Sequence, residues 1–222
     1  EEVLSRVIGK EDFGDSGMQV IGQFNLGFII TRLDRREAQI HDDLFIVDQH
    51  AADEKYNFET LQQTTKIQCQ SLIRPRPIEL SAADEITAMD NLEILRANGF
   101  EVKVSQDVPV GKRLELVARP QSKGTVFDLT DLEELISLMQ DKAPGQMVRC
   151  SKTRMMFASR ACRKSIMIGK PLRGGQMTTV VRHMGTLDQP WSCPHGRPTM
   201  RHLTDLNEFA KRSKEETDWK AF

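Results

Sequence analysis

The stretch "DDLFIVDQHAADEKYNFE", residues 42–59, changes its hydrophobic period halfway along. Leu44 to Val47 make a short apolar run of the kind that suits a pleated strand. From Gln49 to about residue 65 the spacing turns helical, so a strand running directly into a helix is expected. Asp48 stands at the junction, where a carboxylate ordinarily caps the first turn. If the helix begins at Gln49, His50 and Glu54 are four apart and share one face, a separation at which an imidazole and a carboxylate can hold one divalent ion. The same pattern is common on exposed helices, where Asp48 is only a cap and Glu54 only a surface acid. Glu59, about 140° around the helix from Glu54, falls outside the same ligand shell and reads as a solvated acid or as one that only supports the ligands from behind.

Outward from this junction the chain divides into three. Upstream, "MQVIGQFNLGFIITRL" and "DDLFIVD" flank the polar connection "DRREAQIH", which predicts a β-hairpin with a long loop. Downstream, residues 66–148 have their own punctuation. It comprises a strand near "QSLIRPRPIEL", a helix begun by Ser81 to Asp84 and ended near Gly99, and strands at "FEVKV" and "RLELVA". A further helix is begun by Thr130 to Glu133, with Leu132, Leu135, Ile136 and Met139 as its apolar stripe. This β-α-β-β-α unit is compact enough to be an inserted subdomain. The expected division is therefore residues 1–65 plus 149–222 against residues 66–148, in a mixed α/β (α+β) fold. The final part predicts a helix over 152–167 with Met155, Ala158, Cys162 and Ile166 on its apolar stripe, and a second over 176–184 stopped by Gly185. The irregular loop "TLDQPWSCPHGRPT" follows, then a last polar helix from about Thr204 carrying Leu206 and Phe209.

A chain of 222 residues with 39% hydrophobic and 28% charged content has the composition of a folded soluble protein with a substantial core. No run approaches the length of a membrane span, and no basic-then-apolar leader opens the sequence, so export is not expected. It begins Glu-Glu rather than Met, which reads as a fragment of something longer. Cys69, Cys150, Cys162 and Cys193 lie far apart without a CxxC, which favours free thiols or metal thiolates over a disulfide framework. The net charge of -1 conceals an asymmetry. Residues 142–204 hold twelve Lys or Arg and one acid, or +11, leaving -12 on the remainder. The two parts can present opposite potentials to a polyanion.

Within the basic part, "SCPHGRP", residues 192–198, sets Cys193 and His195 on a turn stiffened by Pro194 and relaxed by Gly196. A thiolate, two imidazoles and a carboxylate would fill the four positions zinc prefers. The plainer alternatives are a small buried hydrophobe for Cys193, a hydrogen-bonded loop residue for His195, and a core cysteine for Cys162.

Taken together, "GQFNLGFII", "DQHAADEKYNFE", "ASRACRKSIMIG" and "CPHGRPTMRH" resemble the C-terminal domain of the MutL mismatch-repair family, in particular the nuclease-competent subunit of the eukaryotic MutL alpha heterodimer. The family's signature DQHA-x2-E-x4-E falls on Asp48 to Ala51, Glu54 and Glu59, and its later motifs on Ala161 to Arg163 and Cys193 to Pro198. The resemblance implies a dimerisation subdomain with residues 66–148 as an external regulatory lobe. It implies that His50, Glu54, Cys162, Cys193 and His195 are ligands of one or two zinc-type ions, with Asp48 beside them. It also implies a nuclease that nicks double-stranded DNA. Asp48 and Glu54 would then serve catalysis with manganese or magnesium, while the thiolates suit zinc. Arg163, Lys164 and Arg197 would hold phosphates without reading sequence. Implied partners are a second MutL homologue, a sliding clamp and mismatch-sensing MutS-type proteins, in the nucleus.

Two departures stand out. "RPIEL", residues 76–80, has Arg76 where the family's clamp-binding stretch carries Gln, and the connection "DRREAQIHDD" and the tail beyond Leu203 look longer than in animal relatives. "IGKPLRGG" lacks phosphate-loop spacing, so no ATP site is expected. A zinc peptidase would need H-E-x-x-H, and only one His lies in the helix. A non-catalytic zinc-stabilised dimerisation module has no use for Asp48, His50 and Glu54 together.

Overall fold

The computed structural model describes residues 8–34, 42–122, 124–143 and 145–207. The strand-to-helix junction is present: β3 (Asp42–Asp48) passes without a loop into α1 (Gln49–Thr64). The expected hairpin is also present, but with one more strand than the apolar pattern shows. The run before the polar connection is itself folded into β1 (Gln19–Phe24) and β2 (Phe28–Asp34). Asn25 and Leu26 turn the corner with φ of 48° each, closed by the Gly27 amide on the Phe24 carbonyl at 3.2 Å. A leucine in the left-handed region is unusual, which is why an unbroken strand is the natural reading of "FNLGF". β2 and β3 pair antiparallel from Phe28↔Asp48 to Asp34↔Asp42. Their connecting loop, residues 35–41, lies outside the described residues.

The chain separates into two compact units, residues 1–59 with 161–222 and residues 60–160. The divisions fall inside α1 and α5 (Ser151–Lys164) rather than at residues 65 and 149. In the first unit an antiparallel sheet of order β1-β2-β3-β8 is completed by β8 (Met200–Asp205). Alternation places Ile29 and Leu33 of β2 and Phe45 and Val47 of β3 on the buried face, where they meet Met177, Val180, Val181 and Met184 of α6 (Gly174–Gly185). β8 corrects the sequence reading, which has no strand there. "MRHLTD" is too polar to announce one, and pairing with β3 decides its conformation, reinforced by the His202 ring on the Asp43 carboxylate at 2.8 Å. The expected helix from Thr204 would place Phe209 outside the described residues.

The second unit carries β4 (Cys69–Ile78), β6 (Leu114–Ser122) and β5 (Glu101–Val104) in the order β4-β6-β5, with β7 (Thr125–Val126) pairing β6. The helix expected over 81–99 is two, α2 (Ala82–Asp90) and α3 (Leu92–Ala97), because Asn91 leaves the helical region at φ -121° and ψ 29°. Ser81 caps α2 as expected. α4 (Leu129–Gln140) starts earlier than predicted. Asp128, not Thr130, caps it, and Asp131 answers to the Asp128 amide. Its stripe of Leu132, Leu135, Ile136 and Met139 is buried against Leu114, Leu116 and Phe127. On α5 the buried positions are Thr153, Phe157 and Ala161, whereas Met155 is 64% exposed, so the expected stripe of Met155, Ala158, Cys162 and Ile166 is rotated from the true one.

Thr130, and beyond it Lys152, hold the Asp128 carboxyl down at about 2, from an ordinary 3.8. A depressed carboxyl stabilises the fold above its ordinary value and loses that contribution as pH falls through the lower one. Urea midpoints for the native chain should therefore drop between about pH 4 and pH 2, and Asp128→Asn should show a smaller drop over the same window. Equal drops would show that the cap does not carry this linkage.

Candidate metal centre

The start of α1 is fixed by two distant pieces of backbone and by its own cap. The Asp48 amide donates to the Thr199 carbonyl at 2.9 Å, and the Gln49 amide to Gly27 at 3.1 Å. The Asp48 carboxylate accepts the His50 and Ala51 amides at 2.9 and 2.8 Å, which is the capping role its position suggests. One helical turn then carries His50 and the fully buried Glu54 on the same face.

The His50 ring has one available orientation. Nδ1 lies 2.8 Å from the Ile166 carbonyl, which can only accept, so Nδ1 is the donor there and Nε2 is the nitrogen left to face a ligand. Nε2 faces the Cys162 sulfur at 3.6 Å. The Ile166 peptide is gripped from its other side by Asp53, whose carboxylate accepts the Ile166 amide at 2.8 Å. A backbone carbonyl on the far nitrogen is the usual outer support of a metal-binding histidine.

The second half comes from the "SCPHGRP" turn. The Cys193 amide reaches the Arg197 carbonyl and the Gly196 amide the Cys193 carbonyl, each at 2.9 Å, with a bridge between Ser192 and Pro198 closing the loop. Gly196 sits at φ 80°, a conformation that a side chain would strain. The turn buries Cys193 and sets His195 Nδ1 2.7 Å from Glu54 Oε1.

Two donor triads result, His50-Glu54-Cys162 and Glu54-Cys193-His195, with the potential ligand atoms of each within 4.8 Å of one another. Glu54 belongs to both. Its Oε2 is buried and has no hydrogen-bond partner, while the Arg197 guanidinium stands 3.6 Å away. An orphaned carboxylate oxygen among two thiols and two imidazoles fits a zinc-type ion better than a structural hydrogen-bond network. A third triad in the other unit, Asp131, Glu134 and Cys150, is occupied otherwise. Asp131 binds Lys152 at 2.7 Å and Glu134 the Ser151 amide at 2.9 Å, while burial pushes the Cys150 thiol up.

The remaining predicted residues separate. Asp48 lies in neither triad. Arg163 and Lys164 are exposed on the last turn of α5. Glu59 pairs with Lys55 at 2.6 Å in a half-buried ion pair and lies in neither triad. Arg76 is hydrogen-bonded into the β4-β6 ladder opposite Leu116, and Ile78 is buried, so residues 76–78 are part of a sheet.

Gln49 is the residue that sequence reading missed. It is fully buried, its amide nitrogen reaches the carbonyls of Leu26, Met167 and Lys170 at 3.0 to 3.3 Å, and its oxygen accepts Gln23 at 2.7 Å. No local pattern reveals partners that lie over twenty residues upstream and over a hundred downstream.

A mixed helix-and-sheet unit that gathers a helix face, the end of α5 and a Cys-Pro-His-Gly turn around one buried carboxylate defines a candidate metal-binding domain. The family model described as "MutL C terminal dimerisation domain" matches residues 21–172, and the chain belongs to that family. It is 51% identical over 217 residues to "DNA mismatch repair protein PMS1" of Saccharomyces cerevisiae, covering 97% of this chain and 24% of that protein. It is 50% identical over 211 residues to "Mismatch repair endonuclease PMS2" of Mus musculus and of Homo sapiens, covering 95% of this chain and 23% of each. The chain thus spans about a quarter of the length of the curated relatives it matches.

Replacing Gln49 by Leu would take one donor from three carbonyls, each of which keeps a second from Gly169, Lys170 or Gln23, and would remove the acceptor of the Gln23 amide. We expect Gln49→Leu to lower unfolding free energy by about 1–3 kcal/mol or more, measured by urea denaturation. An unchanged midpoint would mean that water replaces the amide at no cost.

Proposed function

We propose that this chain is the metal-dependent endonuclease domain of a mismatch-repair MutL subunit, nicking double-stranded DNA and pairing with a second MutL homologue. The observation that carries the reading is the buried Glu54 carboxylate shared by two donor triads. Relatives named mismatch repair endonucleases, at half identity across nearly the whole chain, support the reaction class.

The residues would divide the work by chemistry. His50, Glu54, Cys162, Cys193 and His195 hold zinc, since thiolates suit it and not the harder manganese or magnesium, which we assign to the hydrolytic step. A bound divalent ion lowers the pKa of coordinated water and offsets charge on the phosphate. Glu54 binds and orients, and Asp48, held at the helix start by the two amides it caps, aligns the attacking water. Arg163 and Lys164 contact phosphates from the end of α5, contributing affinity without sequence choice.

Support for a protein partner comes from the metal-bearing unit, where Ile21, Phe24, Leu26, Met167, Ile168 and Leu203 are exposed. That much uncovered apolar surface fits a subunit interface. In this reading residues 66–148 are a regulatory lobe. The sliding clamp and MutS-type proteins are further partners in the nucleus, and Arg76, where the clamp-binding stretch carries Gln, leaves residues 76–80 in doubt as the clamp contact. Among the described residues no helix is long and apolar enough to cross a membrane.

The test separates catalysis from assembly. Asp48→Asn and Glu54→Gln should slow plasmid nicking in manganese by at least about 100-fold while still coeluting with the partner. Cys193→Ala and His195→Ala should lower zinc content and melting temperature together, because ligand binding to the native state adds to its stability. Wild-type nicking by either carboxylate variant, or full zinc content in both ligand variants, would refute the assignment.

A further inference from the structure

Arg197 does not stand clear of the centre as a simple phosphate contact would. Its Nη2 is 3.6 Å from Glu54 Oε2, the oxygen that has no hydrogen-bond partner. Burial pulls the Arg197 pKa down, but the neighbouring Cys193 side chain and the carboxylates of Glu54 and Asp48 outweigh it, and the net shift is upward. The backbone ties this cation to the donor turn, since the Arg197 carbonyl accepts the Cys193 amide at 2.9 Å. Its side chain is nevertheless 45% exposed, so it has a way out.

The lone pairs that Arg197 faces are those that a divalent ion would take. A zinc-type ion sits about 2.0–2.3 Å from a carboxylate oxygen or a thiolate sulfur. A guanidinium that stayed in place would then share the two donors with a second, doubly charged cation, at a separation where like charges repel strongly. Without an ion the opposite holds: a buried carboxylate is costly unless a positive charge accompanies it.

We propose that Arg197 is a built-in counter-cation of the centre. In the metal-free chain it balances Glu54; a divalent ion displaces it outward, where it becomes free to bind a phosphate oxygen. Metal binding is therefore a competition against a tethered arginine, and the affinity is weaker than the donors alone would give. This rests on the reading that the centre binds metal.

The sign of a single substitution decides it. An ordinary outer-shell support loses about 10- to 100-fold in metal affinity when removed. A competitor gains. Zinc affinity of the purified chain, measured by competition with a chromophoric chelator, should rise roughly tenfold in Arg197→Gln, as relief of a like-charge contact requires. Arg197→Lys, which keeps the charge, should remain close to the native chain. The metal-free Arg197→Gln chain should also melt at a lower temperature. A native chain that binds no zinc would overturn the metal reading itself; a native chain that binds zinc, with Arg197→Gln equal or weaker, would overturn the counter-cation alone. Should the metal-free variant fail to fold, the native chain still decides. Phenylglyoxal should modify Arg197 faster in saturating zinc than in chelator, followed by peptide mass mapping, and an equal or slower rate would overturn the proposal.

Discussion

The centre depends on one carboxylate placed where water cannot reach it. Glu54 is fully buried, yet only one of its oxygens has a hydrogen bond, from His195. A charged group in that position costs several kcal/mol unless opposite charge accompanies it. The surroundings answer the cost with the His195 hydrogen bond and one arginine. A cation, whether divalent or the guanidinium of Arg197, is what the site lacks when Glu54 is considered alone.

Holding Glu54 there takes segments from distant parts of the chain. The β3-α1 junction sets the helix axis, and Asp48 caps it while its own amide reaches the loop that follows the Cys-Pro-His-Gly turn. Gln49 then draws in the β1-β2 turn and the stretch after α5 through three carbonyls. Asp53 and His50 grip the Ile166 peptide between them, which makes the histidine Nδ1 the donor there. Residues of the first two turns of α1 thus divide between building the scaffold and presenting ligands. Polar residues could hardly be exchanged there without disturbing both.

Much of this was legible in the chain. Local signals carried it: the switch of period at Asp48, the four-residue spacing of His50 and Glu54, and a turn with Pro194 and Gly196 around His195. The helix stripe of Leu132, Leu135, Ile136 and Met139 was likewise local, and it is buried as expected. What escaped is set by distant partners. β8 is a strand because β3 pairs with it, not because "MRHLTD" prefers to be one. The buried face of α5 follows Thr153, Phe157 and Ala161, and the methionines that suggested another stripe mislead because Met155 points to solvent. Gln49 reads as an ordinary polar residue at a helix start, since its three carbonyls belong to residues 26, 167 and 170. Arg197 reads as a phosphate contact until its distance to Glu54 is known.

The central claim is that Glu54 is the shared ligand of a metal centre, and anomalous diffraction at the zinc absorption edge tests it most directly. Crystals of the chain grown with zinc should show an anomalous peak within bonding distance of Glu54, flanked by His50 and Cys162 or by Cys193 and His195. Peaks confined to other residues, with Glu54 still paired to Arg197, would contradict the account.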